Sequence, residues 1–189
     1  MRETEIPTRE LVELLRALRF ASQKHRQQRR RDSEATPYIN HPIAVAELLV
    51  RIGKVNDLAA VQSAILHDTV EDTQTSAQEL EENFGQEVRL LVQELTDDKS
   101  LPKQERKRLQ VEHASQLSAY AKQIKISDMI CNMEDITETQ PPSWSLQRKL
   151  EYLDWAQNVA AGCRGCNEHL EQLFTSVLKG RRDLLEASV

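Results

Sequence analysis

The stretch Asp57-Leu58-Ala59-Ala60-Val61-Gln62-Ser63-Ala64-Ile65-Leu66-His67-Asp68-Thr69-Val70-Glu71-Asp72 decides how the rest of the chain is read. Its first ten residues read as an amphipathic helix, with Asp57 as the N-cap and no Gly or Pro inside. Carried forward on the same helix, His67 and Glu71 stand four apart, Asp68 and Asp72 four apart, and Asp68 and Glu71 three apart. Side chains so spaced project to neighbouring positions. Three carboxylates gathered this closely repel one another, so holding them together calls for a cation or a bound substrate. A metal ion is the first expectation.

Upstream, Pro7-Thr8 opens a helix whose apolar positions Leu11, Leu14, Leu15, Leu18 and Ala21 follow the three-and-four spacing, running to about Lys24 or His25. A polar loop, Asp32 to Pro37, follows. Asn40 reads as the cap of a second helix, with Pro42 in its first turn and Gly53 at its end. Asp57 caps the third, which carries the His67–Asp72 cluster near its C-terminus. Downstream, Ser76 with Glu79 forms a capping box for a short helix ending at Phe84-Gly85. Further helices are expected over 86–95, from Lys103, through Lys122–Asp135, from Ser143 after Pro141-Pro142 to about Ala161, and over about Asn167–Lys179. No run alternates with the period of a strand. The expected fold is all-α, one domain over residues 1–189, a bundle of about eight to ten helices.

The 189 residues suffice for a substantial core, and 39% hydrophobic with 29% charged residues is ordinary for a globular protein. No apolar run approaches the roughly 20 residues of a membrane span. Met1 to Glu10 is charged and lacks the apolar stretch of a secretory signal, and there are only three cysteines, so a cytoplasmic location is expected. A net charge of −5 speaks against nucleic acid as a partner. Two basic clusters stand out: Lys24, Arg26, Arg29, Arg30, Arg31, and Lys103, Arg106, Lys107, Arg108. Each reads either as a solvated helix face or as a patch for an anionic small ligand. Nothing in the sequence specifies an oligomer.

A His-Asp dipeptide alone is weak evidence. Two distant residues strengthen it. His41 sits at a helix start, within Tyr38-Ile39-Asn40-His41-Pro42. Asp128 interrupts an otherwise apolar helical run of Ile124, Ile126, Met129, Ile130, Cys131 and Met133. Two imidazoles and two carboxylates suit a borderline divalent cation such as Mn, Fe or Zn. A cation held this way can lower the pKa of a bound water toward ~7. Glu71 and Asp72 would orient or deprotonate that water.

The order His41, His67-Asp68, Asp128 resembles that of the HD-domain metal phosphohydrolases. More narrowly, several segments resemble the hydrolase domain of the RelA/SpoT alarmone enzymes and their stand-alone small relatives, including the metazoan SpoT homologue. They are His25-Arg26-Gln27-Gln28-Arg29-Arg30, Thr36-Pro37-Tyr38-Ile39-Asn40-His41-Pro42, Leu66-His67-Asp68-Thr69-Val70-Glu71-Asp72-Thr73 and Thr96-Asp97-Asp98-Lys99. The resemblance runs from about residue 8 to residue 180. It implies hydrolysis of the 3′-pyrophosphate of guanosine tetra- and pentaphosphate (ppGpp, pppGpp), with Mn²⁺ as the usual ion. It further implies that His41, His67, Asp68 and Asp128 are the ligands and that Glu71 and Asp72 are the catalytic pair. Arg30 and Arg31 match a basic pair beside the nucleotide, and Tyr38, Asn132, Arg148 and Tyr152 match pocket positions. Members of this subgroup also remove the 2′-phosphate of NADPH, and some accept adenosine analogues such as ppApp. Where the family carries a basic residue after the Asp, an aromatic or His before the Asn and an Arg beyond it, this chain has Met129, Cys131 and Glu134. A less basic pocket wall is expected there.

Other readings compete. A nucleotide-binding regulator without turnover is motivated by Met129 and Glu134, and opposed by the intact Glu71-Asp72 pair. An HD enzyme acting on a nucleoside monophosphate is opposed by the two basic clusters. Cys163-Arg164-Gly165-Cys166 has redox or zinc spacing but lacks a second ligand pair, and reads as a helix end. His113 is expected at the surface and His25 in a structural hydrogen bond.

Overall fold

The computed structural model describes residues 8–32, 34–138 and 144–187, with side chains of 137 and 138 excluded. Among these, ten α-helices and one 3-10 turn form, and the sole β-type pairing is an isolated bridge between Arg29 and Pro37. The helices are α1 (Thr8–Lys24), α2 (Asn40–Arg51), α3 (Leu58–Leu66), α4 (Thr69–Asp72), α5 (Ala77–Phe84), α6 (Gln86–Leu95), α7 (Lys103–His113), α8 (Ala119–Glu138), α9 (Leu146–Gly162) and α10 (Glu168–Glu186). The expected all-α class holds.

Two helices are core on nearly all sides. In α3 every residue from Ala60 to Leu66 is buried, so the run is not amphipathic as its composition suggested. Ala60, Ala64 and Ser63 are small enough to let α1, α2, α6 and α8 close on it from all directions, and Gln62 is satisfied by donating to the Glu13 carbonyl at 3.2 Å. Helix α8 buries Ile124, Ile126, Met129, Ile130 and Met133 and packs on α2, α3, α6, α9 and α10. Its apolar sequence required that surround. On α1 the contact face is Ala17 and Ala21, with Leu14 and Leu18 half-buried, while Leu11 and Leu15 of the expected stripe are exposed. The small alanines set a close approach to α3 that the larger leucines flank.

Several helix ends follow the capping chemistry read from the sequence. Asp57 accepts from Ala60 N at 2.8 Å, and Ser76 accepts from Glu79 N at 3.1 Å. Asn167 caps α10, and Gly85 stands at φ +90 after α5. Asn40 does not cap α2; it is its first residue, and Ile39 precedes it with no side-chain cap. Ser145, rather than Ser143, caps α9; Pro7, Pro141, Pro142 and Ser143 lie outside the described residues. Helix α10 runs past Lys179 because Gly180 meets nothing within 4 Å and costs only propensity, while Leu185 is buried beyond it.

Candidate metal centre and its cleft

The His67–Asp72 segment is not the tail of α3. That helix ends at Leu66, His67 and Asp68 form a turn, and α4 restarts at Thr69. Asp68, at φ −93 and ψ −3, leaves the helical track, and Thr69 Oγ1 donates back to the Leu66 carbonyl at 2.6 Å. The break redistributes the side chains. His67 and Asp68 turn toward α2 and α8, whereas Glu71 and Asp72 face α7 and the 96–101 loop.

The three carboxylates therefore find separate partners. Asp68 Oδ2 accepts from the Tyr38 hydroxyl at 2.5 Å and lies 3.0 Å from His67 Nε2 and 3.9 Å from His41 Nε2. Glu71 Oε2 accepts from Asp97 N at 3.1 Å, and its other oxygen is 3.6 Å from Arg106. Asp72 accepts from Gln28 Nε2 at 2.9 Å and pairs with Lys99. The compensation expected from a cation or bound substrate is supplied at Glu71 and Asp72 by local donors of the chain itself.

What converges is His41 from α2, His67 from the α3–α4 turn and Asp128 from α8, with ligand atoms all within 4.8 Å of one another. Asp128 Oδ1 stands 3.0 Å from His41 Nε2 and 3.8 Å from His67 Nε2. Asp68, the fourth expected ligand, stands beside the two imidazoles but is not among the three residues whose ligand atoms all lie within 4.8 Å. His67 Nδ1 lies 2.9 Å from the Ala64 carbonyl, which can only accept, so Nδ1 carries a proton and Nε2 is the ring nitrogen turned to the cluster. His67 Nε2 is buried without a hydrogen-bond partner among the described residues, and His41 turns its Nε2, not its orphaned Nδ1, toward the two carboxylates. An orphaned imidazole nitrogen beside two carboxylates is what a divalent ion would satisfy, so the residues present fit one.

The charges within the cluster respond accordingly. Burial alone would lower the His67 pKa, but the Asp68 and Asp128 carboxylates overcome it and push it up to about 9. Burial alone would raise Asp68, yet His67 and His41 hold it well below the usual carboxylate range. Glu71 moves the other way: burial raises it, the Asp97 N–H opposes, and the neighbouring Asp97, Asp68 and Asp72 raise it further.

A cleft of about 280 Å³ opens over the cluster, lined among others by Tyr38, Glu71, Asp72, Asn132 and Tyr152. Asn132 donates to Asp128 Oδ1 at 2.6 Å, so it orients that carboxylate as well as lining the wall. Arg30 donates to Asn132 Oδ1 at 3.0 Å, lies over the Tyr38 ring at 5.5 Å and is ion-paired to Asp135. Arg148 is exposed on α9 and stacks on Trp144 at 4.0 Å. Arg31 is exposed and stands outside the cleft lining; the depressed pKa of Lys103, caused by burial and then by Arg148, Arg31 and Arg106, shows these cations crowding one rim.

Sequence reading assigned no role to Gln28, Lys125, Trp144 or Trp155. Gln28 links buried His25, whose Nδ1 is 2.7 Å from Gln28 Oε1, to Asp72; this is the structural hydrogen bond expected of His25. Trp144, Tyr152 and Trp155 form an aromatic wall, with centroids 6.2 and 5.2 Å apart, and Lys107 lies 4.7 Å from the Trp155 ring. Their three-and-four spacing with Arg148 was the available signal. Met129 is packed in the core and Cys131 is buried, and Glu134 is half-buried without lining the cleft. Cys163 and Cys166 are free thiols, Cys163 at the cap of α9 and Gly165 after it at φ +81, so the pair marks a helix end as expected. His113 is exposed, also as expected.

An all-helical bundle whose buried His, His-Asp and Asp converge from three elements defines a metal-dependent phosphohydrolase type of site. The chain belongs to the HD-domain family, whose sequence pattern matches residues 17–162. Within it, the chain is 53% identical over 84% of its length to the guanosine-3′,5′-bis(diphosphate) 3′-pyrophosphohydrolase MESH1 of Xenopus tropicalis, covering 88% of that protein. It is 50% identical over 91% of its length to the Homo sapiens protein of the same name, covering 96%. A solved structure reported as a metazoan orthologue of SpoT that hydrolyses ppGpp and plays a role in starvation responses matches with a TM-score of 0.88 at 41% identity, over 95% of this chain and 98% of that one.

Proposed function

We propose that this chain, acting as a single domain over residues 1–189, hydrolyses the 3′-diphosphate of ppGpp and pppGpp, releasing pyrophosphate and leaving GDP or GTP. The observation that carries the reading is the His41–His67–Asp128 cluster within 4.8 Å, beside Asp68, in a relative of enzymes named for that reaction. His41, His67, Asp68 and Asp128 hold the ion; their two-nitrogen, two-oxygen donor set suits Mn, Fe or Zn alike, and Mn²⁺ is the ion that the family resemblance implies. Bound there, such an ion supplies Lewis-acid charge and an acidified water at neutral pH.

The chain's own groups do the rest. Glu71, half-buried and with a raised pKa, takes the proton of the attacking water. Asp72, fixed by Gln28 and Lys99, orients that water toward the phosphorus nearest the sugar. The bond from that phosphorus to the 3′ oxygen breaks as the pyrophosphate departs, and the proton taken up by Glu71 returns to the 3′ oxygen directly or through solvent. Arg30, Arg31 and Arg148 bring positive charge to the phosphates, with Arg30 exchanging Asp135 for them. Tyr38, Asn132 and Tyr152 line the nucleotide. Three free cysteines support a cytoplasmic location.

The test is a Mn-supplemented panel of ppGpp, pppGpp, ppApp and NADPH, with phosphate and pyrophosphate assayed separately. Metal-dependent pyrophosphate release from ppGpp and pppGpp is expected. Release of phosphate from NADPH with none of pyrophosphate from ppGpp would overturn the assignment.

A further inference from the structure

The cleft continues past the metal cluster. A second cavity of about 260 Å³ lies between the loop after α6, α7 and α8, and Asp97, Gln110 and Lys125 line both spaces. Its carboxylates are already engaged. Asp97 Oδ2 accepts from Gln110 at 2.6 Å and pairs with Arg106 at 3.4 Å. Asp98 accepts from Ser100 N at 2.9 Å, and Glu94 accepts from Ser118 N at 2.7 Å.

Lys125 is different. It sits on α8 one turn before Asp128, whose carboxylate feels its charge; it is half-buried, and its ammonium makes no hydrogen bond or close ion pair among the described residues. Of the cations around Glu71 and Asp72, Lys99 is spent on Asp72 and Arg106 on Asp97 and Glu71. Lys125 is left over. Arg106 also keeps a buried Nε without an acceptor. An orphaned guanidinium N–H is costly unless an acceptor meets it, and a half-buried lysine without a hydrogen bond on the same cavity adds a cation for an anion to meet. A lysine's compact charge suits a phosphate oxygen whose orientation is not fixed.

We propose that this second cavity receives the distal phosphate of the 3′-diphosphate, and that Lys125 binds it and thereby selects diphosphate over monophosphate substrates. The inference rests on the alarmone-hydrolase reading. There, the ion cluster and Glu71 work on the phosphorus next to the sugar, so the second phosphate must lie to one side of them. The face of the cluster toward Lys125 opens into a cavity.

The experiment compares wild type, Lys125→Met and Lys125→Arg, all Mn-loaded, by ppGpp kinetics and by calorimetric titration with inorganic pyrophosphate and inorganic phosphate. Wild type is expected to bind pyrophosphate more tightly than phosphate. Lys125→Met is expected to lose about tenfold or more in pyrophosphate affinity and to raise KM for ppGpp similarly, with a much smaller loss for phosphate. Lys125→Arg should recover part of both. Unchanged pyrophosphate affinity in Lys125→Met, or equal losses for the two anions, overturns the proposal. Wild type that releases no pyrophosphate from ppGpp overturns the parent reading instead, and the calorimetric comparison still decides where a diphosphate binds.

Discussion

Asp68 and Glu71 are three residues apart, and their surroundings push them in opposite directions. Asp68, against two imidazoles and a tyrosine hydroxyl, is held ionised, while Glu71 is raised by burial and by neighbouring carboxylates. Such a divergence fits the proposed roles, Asp68 as a metal ligand and Glu71 as the proton acceptor. Glu71→Gln keeps the shape and removes the base, so kcat on ppGpp should fall about 10²–10⁴-fold with metal affinity retained; unchanged kcat would remove Glu71 from the mechanism. The working form is the carboxylate, and a raised pKa leaves it protonated to a higher pH than a free glutamate at about 4.3. The acid limb of the wild-type pH–rate profile should therefore lie above that value. The same sign applies to stability: the fold favours neutral Glu71, so ionisation costs stability as pH rises through its pKa. Glu71→Gln should be no less stable than wild type at neutral pH, as a thermal melt would show.

At the scale of elements, α3 matters through where it stops. Asp57 fixes its start, and the turn at His67-Asp68 fixes which side chains reach α2 and α8. Asp57→Ala removes the bond to Ala60 N and should cost about 1 kcal/mol. For a chain of this size that lowers Tm by roughly 2–4 °C. Metal-saturated kcat should be unaltered, since the cap lies nine residues from Leu66 and touches no ligand; a lost kcat would mean that the helix start, too, sets the site. The cap was legible because Asp followed by a breaker-free apolar run has one local meaning. The turn was not: His67-Asp68-Thr69 carries no Gly or Pro to announce a break, and its Thr69 hydroxyl bond to the Leu66 carbonyl is one that a threonine inside a helix can also make. Asp128 was legible because a carboxylate among Ile124, Ile126, Met129 and Ile130 has few ways to be satisfied. Gln28 and Lys125 were not, since a Gln in a loop and a Lys on a helix acquire their roles from neighbours that only the fold supplies. Gly162 shows the same limit: a Cβ there would stand 2.6 Å from the Ala114 Cβ, an approach that no local pattern announces.

Over the whole molecule, the ligand set joins α2, the α3–α4 turn and α8, so an ion bound there ties together elements up to 87 positions apart in sequence, from His41 to Asp128. Anything that binds the folded chain alone stabilises it by mass action, about 2.7 kcal/mol at a hundred times Kd. Saturating Mn²⁺ should then raise Tm by about 5–10 °C in a chain of this length. The size of that rise depends on pH. His67 is pushed from 6.5 up to about 9, so its charge stabilises the metal-free fold fully below 6.5, and that contribution is lost as pH rises through about 9. A metal ion must displace the same proton, so its affinity strengthens over that window and its binding at neutral pH releases a proton. The two trends add, and the Mn-induced rise in Tm should grow from pH 6.5 to 9. Asp128→Ala should stay helical by circular dichroism and lose the rise at every pH. A Tm that ignores Mn²⁺ in the wild type, or a rise that survives intact in Asp128→Ala, would mean that the ion binds elsewhere or that these elements are joined by packing alone.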